Sequence, residues 1–340
     1  MYNVFLGDQT LLRLLYETKI CQYGDLVENT AITFYVLYTM WKISFDLSGS
    51  TQHVQQIMEI DVALERLGET VDYSRSAVMT LLIPIFQIGV CSVRILIVWI
   101  STSGRIESIP YSKLFQIVFS DSLSFTVMNH FCIYLYALYH RYRRLNTVLI
   151  KLQSSTFRDC FVRSKKCLSL APRTQDRDAC ARINSCGKLY SMLFKATETV
   201  NDKFGLALLL TMFVWLVLIV LYLYYFMEAT AGGLFHDVQR YINLLMYISW
   251  QVIFSVGIIS SAIYCCEKIV KEAKFTSYVV HTIINYNSDV YAVKEAALNL
   301  SMQIVHQTPK FTARGLFPVE YVLLLENLNA IYDKSASLFP

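Results

Sequence analysis

"AVMTLLIPIFQIGVCSVRILIVWIS", Ala77–Ser101, decides the class of this chain. It is apolar almost throughout and long enough to cross a bilayer's hydrocarbon core, which takes about 20 residues of α-helix. Working outward from it, four further apolar runs appear: Thr30–Phe45, Leu114–Tyr139, Phe204–Met227 and Ile242–Tyr264. Thr30–Phe45 is the shortest and rests on Ala31 to Ile43. Hydrophobic residues make up 55% of the chain and charged residues 16%, where a soluble domain carries about 25% charged residues. The reading is an all-α, multi-span transmembrane bundle over 30–264, and its composition excludes an ordinary soluble protein. Met1–Thr10 has neither a basic leader nor a cleavage pattern, so the first apolar helix is expected to serve as its own insertion signal.

Lys and Arg set the orientation, because they stay on the cytoplasmic side. Arg141–Lys203 carries fourteen of them against five acids, and Cys265–Gly315 carries six more. The connections Thr102–Tyr111 and Glu228–Tyr241 carry one Arg each, Arg105 and Arg240. The two long segments are therefore expected inside, together with 46–76, and residues 1–29 outside. Four cysteines, Cys160, Cys167, Cys180 and Cys186, fall in an inside segment where thiols stay reduced. Their spacing does not match zinc ligands, and no metal site or cofactor is expected.

The inside segments read as helical extensions. Leu145, Val148, Leu149 and Leu152 recur at helical spacing after "FCIYLYALYH", carrying that helix past the membrane. "VRSKKCLSLAPRTQDRDAC", broken by Pro172, reads as a loop. In "TQHVQQIMEIDVALERLG", Val54, Ile57, Met58, Val62, Leu64 and Leu67 form one apolar side, with Gly68 as the stop. Cys266–Gln307 reads as two helices parted at "NYNSD", with Val270, Ala273, Phe275, Val279 and Ile283 available to partners. Such stripes fit either membrane-surface helices or packing faces. Asn299-Leu-Ser301 has the glycosylation pattern but falls on the inner side, so it is expected to be unmodified. No Gly-rich phosphate loop, paired-His metal motif or Ser/His/Asp grouping is present, so neither an enzyme nor a nucleic-acid partner is indicated.

Charges within a span are costly and call for partners. Arg94 lies seven residues before the outer end of its helix, and Asp121 seven residues after Leu114 starts the next. At about 1.5 Å per residue both sit roughly 10 Å below the outer surface. A short hairpin joins the two helices, so an Arg94–Asp121 pair is expected; the alternative is that each snorkels to the interface. Trp99, Tyr222, Tyr225, Tyr247, Trp250 and Gln251 lie near that depth. Aromatics with a few polar groups between helices make a small-ligand cleft.

Several stretches carry a resemblance. "EIDVALERLG", "RYRRLNTVLIKL", "LYSMLFKATETVNDKFGLALLL" and "EAKFTSYVVHTIINY…LNLSMQIVHQTPKFTARGLFPVEYVLLLENLNAI" resemble, in order and spacing, segments of the insect gustatory receptors, relatives of the odorant receptors. Together they cover most of Asp25–Ile331. The resemblance implies a seven-span channel in the plasma membrane, assembled as a homo- or hetero-tetramer with other gustatory receptor subunits. It implies a small tastant bound in the outer half of each subunit, and cations passing a central pore lined by the last helix. Glu326 and Asn329 are then the pore candidates. Residues 265–315 become anchor helices and 316–340 a shortened pore-type helix with a divergent tail. Two departures stand out. The family's first span has no counterpart in 1–29, and after "NLNAI" the chain continues as "YDKSASLFP", with Tyr332 but without the expected Gln. A form shortened at both ends is the expectation. Three functions follow: a ligand-gated non-selective cation channel, a non-conducting or modulatory isoform, or a G-protein-coupled receptor or transporter. The last lacks a DRY-like triplet, an NPxxY motif and repeat symmetry.

Overall fold

The computed structural model describes residues 19–45, 47–71, 73–102, 111–165, 173–231, 238–286 and 291–319. Among them are seven helices: α1 (Lys19–Phe45), α2 (Leu47–Arg66), α3 (Tyr73–Thr102), α4 (Tyr111–Lys165), α5 (Arg173–Ala231), α6 (Val238–Tyr286) and α7 (Tyr291–His306). The expected all-α bundle is what forms. Its upper end is the one where α3 finishes and α4 begins.

Three helices dominate: α4 with 55 residues, α5 with 59 and α6 with 49. Their length follows from a sustained seam. On α4 the buried residues Met128, Phe131, Leu135, Leu138, Tyr142, Leu145, Leu149 and Leu152 alternate at steps of three and four. α5 repeats this through Ile183, Cys186, Tyr190, Leu193, Thr197 and Val200, and α6 through Cys266, Ile269, Ala273, Thr276, Val280 and Ile283. A period near 3.5 keeps one side of a helix against its neighbour, as in coiled coils. α4 and α6 run parallel: Phe125 stacks on Phe254 at 6.3 Å, and lower down Lys268 lies over the Tyr139 ring at 5.4 Å. Lower still, Asn146 donates to the Glu272 carboxylate at 2.8 Å and accepts from Thr276 at 2.7 Å.

The lower end is held by charge as well as packing. Gly68, at φ 85°, ends α2 in a left-handed turn. The Glu69 amide bonds the Leu64 carbonyl at 3.1 Å and the Gly68 amide bonds that of Glu65 at 2.9 Å, the paired closure of a Schellman stop. Glu69 then faces Arg144 at 3.4 Å and also pairs with Lys151. Deeper in, Arg141 of α4 donates twice to Asp61 of α2, at 2.8 and 2.6 Å, and once to the Ala137 carbonyl at 2.8 Å. The Tyr73 hydroxyl, at the start of α3, donates to the same carboxylate at 2.5 Å. That bond, with partial burial, pushes the Tyr73 phenol above its ordinary range.

After α7 the chain turns sharply at Ala313–Leu316. Arg314 and Gly315 both take positive φ, 54° and 76°, which fits a primed two-residue turn. The Ala313 amide bonds the Phe317 carbonyl and the Val319 amide that of Phe311, each at 3.0 Å. This turn seats on α5. The Thr312 amide donates to Asn201 at 2.9 Å, and a Cβ at Gly205 would come within 3.2 Å of the Arg314 amide nitrogen.

Several expectations change. Among the described residues, three stretches are long and apolar enough to cross a membrane, in α3, α5 and α6. The apolar runs in α1 and α4 fall short because polar residues dilute them, Asp121, Asn129 and His130 in α4. Helix replaces both flanks of the expected loop, since α4 continues to Lys165 and α5 starts at Arg173, directly after Pro172. The parting at "NYNSD" agrees with α6 ending at Tyr286 and α7 starting at Tyr291. On α2 the expected stripe is reversed in part: His53, Ile60, Asp61 and Leu64 are buried, while Val54, Met58 and Val62 are exposed. The Arg141–Asp61 pair explains this, because it turns the polar side of α2 inward. On α6, Ala273, Val279 and Ile283 are consumed by the chain's own core, and Phe275 stays exposed. Glu326, Asn329 and Tyr332 lie outside the described residues.

Candidate ligand-binding site

The site forms where α3, α4, α5 and α6 meet at the upper end. Helical spacing puts Gln87, Cys91, Arg94 and Val98 on one side of α3. Arg94 and Val98 are buried, whereas Leu81, Ile85, Ile88 and Trp99 on the other side are exposed. The expected pair is present: Arg94 Nε lies 3.1 Å from Asp121 Oδ2 across the α3–α4 hairpin. The contact is an ion pair without hydrogen-bond alignment at Nε.

α6 closes the other side. Arg94 Nη2 donates to the Tyr247 hydroxyl at 3.3 Å, and the guanidinium carbon stands 4.7 Å from that ring's centre. Tyr222 of α5 meets Tyr247 edge-on at 6.1 Å. One turn below Tyr247, the buried Gln251 is within hydrogen-bonding reach of the Asp121 carboxylate. Its Oε1, and Arg94 Nη1, have no hydrogen-bond partner among the described residues. Trp250 is half-buried and stacks on Phe254 at 6.5 Å. A second polar layer lies below, where Gln87 Nε2 donates to Ser122 Oγ at 2.6 Å and to Thr126 Oγ1 at 2.9 Å.

Between these groups is a cavity of about 10 Å³, bordered by Gln87, Arg94, Asp121, Ser122, Trp250 and Phe254. That is room for about one water molecule, so an organic ligand enters only if the walls part. The structure thus brings Arg94, Asp121, Tyr222, Tyr247, Trp250 and Gln251 together. Tyr225 is buried one turn along α5 from Tyr222, beside Tyr224. Trp99 is 70% exposed and does not join them. Sequence reading passes over Gln87, Ser122 and Phe254. Gln87 has a signal, two helical turns before Arg94 on the same side.

Buried charge is costly unless paired and hydrogen-bonded. Here two nitrogens of a buried guanidinium, Nε and Nη1, and one amide oxygen lack hydrogen bonds, beside aromatic faces. Such an arrangement can accept a small molecule's polar group while covering its apolar surface.

The family model described as 7tm chemosensory receptor matches residues 12–332 of this chain. The chain belongs to that family. Two Drosophila melanogaster proteins are similar to part of this chemosensory receptor. "Putative gustatory receptor 28b" is 26% identical over 148 residues, 43% of this chain and 31% of the relative. "Putative gustatory receptor 28a" is 23% identical over 146 residues, 42% of this chain and again 31% of the relative. The matches thus span less than a third of either relative's own length. Membership agrees with the resemblance read from the sequence and with the apolar helices.

Proposed function

We propose that the chain is a subunit of a gustatory receptor in the plasma membrane, crossing it several times and opening a non-selective cation pathway when a small tastant binds. The tastant site is the Arg94–Asp121 cleft, in the outer half of the membrane, and the subunit works in a homo- or hetero-tetramer with other gustatory receptor subunits. Arg141–Lys203 and Cys265–Gly315 face the cytosol. One observation carries this reading: a buried ion pair whose hydrogen bonding is left incomplete, set among Tyr222, Tyr247 and Gln251 beside a cavity. A fully structural pair has no reason to keep an open donor in an apolar bundle, because each unmet group costs free energy.

The test is expression in cells with a calcium reporter, challenged by a panel of sugars, bitter compounds and amino acids. A tastant should evoke calcium entry, and Asp121→Asn should abolish or strongly right-shift the response while surface expression is retained. A response unchanged by Asp121→Asn and by Tyr247→Phe would sink the assignment of this site. Currents that require G-protein coupling would sink the channel reading.

A further inference from the structure

Two cysteines on different helices meet partway along the parallel α4–α6 pair. The register that stacks Phe125 on Phe254 and sets Tyr139 beside Lys268 brings Cys132 level with Ser261, with Cys265 one turn further along the same side of α6. The Cys132 and Cys265 thiols lie close enough to act on each other, and the Ser261 hydroxyl, which donates to the Ile258 carbonyl at 2.7 Å, approaches Cys132. Both cysteines are free and neither is fully buried. One turn past Cys265, the Lys268 ammonium lies 4.5 Å from the Tyr264 ring centre and 5.4 Å from that of Tyr139, and its charge acts on the Cys265 sulfur. A cation beside a thiol favours the thiolate, which is the nucleophile. Cys266, next in the chain, is 1% exposed and belongs to the core. A thiol beside a cation, with a second thiol already in contact, is the arrangement of an oxidation-sensing pair and its resolving partner.

We propose that Cys132 and Cys265 are a reversible disulfide site, oxidised by a peroxide, that staples α4 to α6. The Cys265 thiolate attacks one peroxide oxygen. The O–O bond breaks, hydroxide leaves and is protonated to water, and Cys265 becomes a sulfenic acid. Cys132 then attacks that sulfur, the S–O bond breaks, and a second water leaves with the Cys132 proton. Two thiols and one hydrogen peroxide give one disulfide and two waters; a small-molecule thiol reverses the link. The staple joins the helix that carries Asp121 to the helix that carries Tyr247 and Gln251, so it fixes two walls of the cleft. The chemistry itself does not depend on the proposed tastant site.

The full chain in lipid nanodiscs is treated with hydrogen peroxide and then with an alkylating reagent. The monomer band from a non-reducing gel is digested with trypsin for mass spectrometry. The expected product joins peptide 114–141, which holds Cys132, to peptide 241–268, which holds Cys265, and it disappears on adding dithiothreitol. Cys266→Ser should keep the link and Cys265→Ser should lose it. In Cys132→Ser, trapping of a sulfenic acid at Cys265 by dimedone should rise several-fold. Separate alkylation of both peptides after peroxide, loss of the link in Cys266→Ser, or pairing spread evenly over the nine cysteines would overturn the proposal. The wild-type peptide map decides the matter even if a variant fails to fold.

Discussion

Two Arg–Asp pairs hold α4, one through Asp121 near its upper end and one through Arg141 about midway along it, and they are built differently. At the lower pair Asp61 receives two aligned bonds from Arg141 and one from Tyr73, and the remaining Arg141 donor reaches a carbonyl. At the upper end Arg94 touches Asp121 through a single unaligned contact, leans on a tyrosine ring and keeps Nη1 open. Both arginines are almost wholly buried, Arg94 at 2% exposure and Arg141 at 5%. Burial therefore does not separate them; saturation does. A saturated pair fixes one arrangement of α2, α3 and α4, because any movement breaks several bonds together. An unsaturated pair leaves room for a different partner. Within one bundle the contrast sets a clamp against the pair proposed above as the ligand site.

The contrast can be broken by substitution. Arg141→Ala leaves Asp61 charged and buried with only Tyr73 to meet it, and it should cost about 3–5 kcal/mol. Fluorescence-detected size-exclusion after a temperature series should show that loss. Asn146→Ala removes the link between α4 and the Glu272–Thr276 turn of α6 and should cost about 2–3 kcal/mol in the same assay. Asp121→Asn should cost less, about 1–2 kcal/mol, because fewer bonds depend on it, yet it should be the variant that removes the tastant response. If Asp121→Asn destabilises as much as Arg141→Ala, the upper pair is a second clamp and the distinction fails. Gly68→Ala meets no neighbour but must hold φ 85°, so it should cost about 1 kcal/mol. Tyr73→Phe deletes one bond to Asp61 from a side chain that is 55% exposed and should cost at most about 1 kcal/mol.

The upper pair is legible in the sequence because two charges in adjoining apolar runs, each seven residues from a shared hairpin, fix a common depth. The lower pair is not. Asp61 and Arg141 are far apart in the chain, and several acids on α2 are equally eligible. The α2 stripe misleads for a related reason. Periodicity shows which residues share a side, but it does not show whether the apolar or the polar side turns inward, and a buried ion pair reverses the usual answer. Depth alone places Trp99 at the cleft; its rotation about the α3 axis puts it on the exposed side. The α4 extension is legible because Leu145, Leu149 and Leu152 continue a regular seam. The Cys132–Cys265 contact depends on the register between α4 and α6, which neither helix's own sequence specifies.

α5 has one consequence beyond holding the site. Its 59 residues form an unbroken rod about 88 Å long. Tyr222 is near one tip, and the Asn201–Gly205 seat for the turn after α7 is partway down the shaft. A lever of that length amplifies small rotations: tilting it by about 2° about one end swings the other by about 3 Å, given the rise per residue of an α-helix. Under the proposed function, Ångström-scale parting of the aromatic walls would become displacement at a distance without any hinge inside the rod.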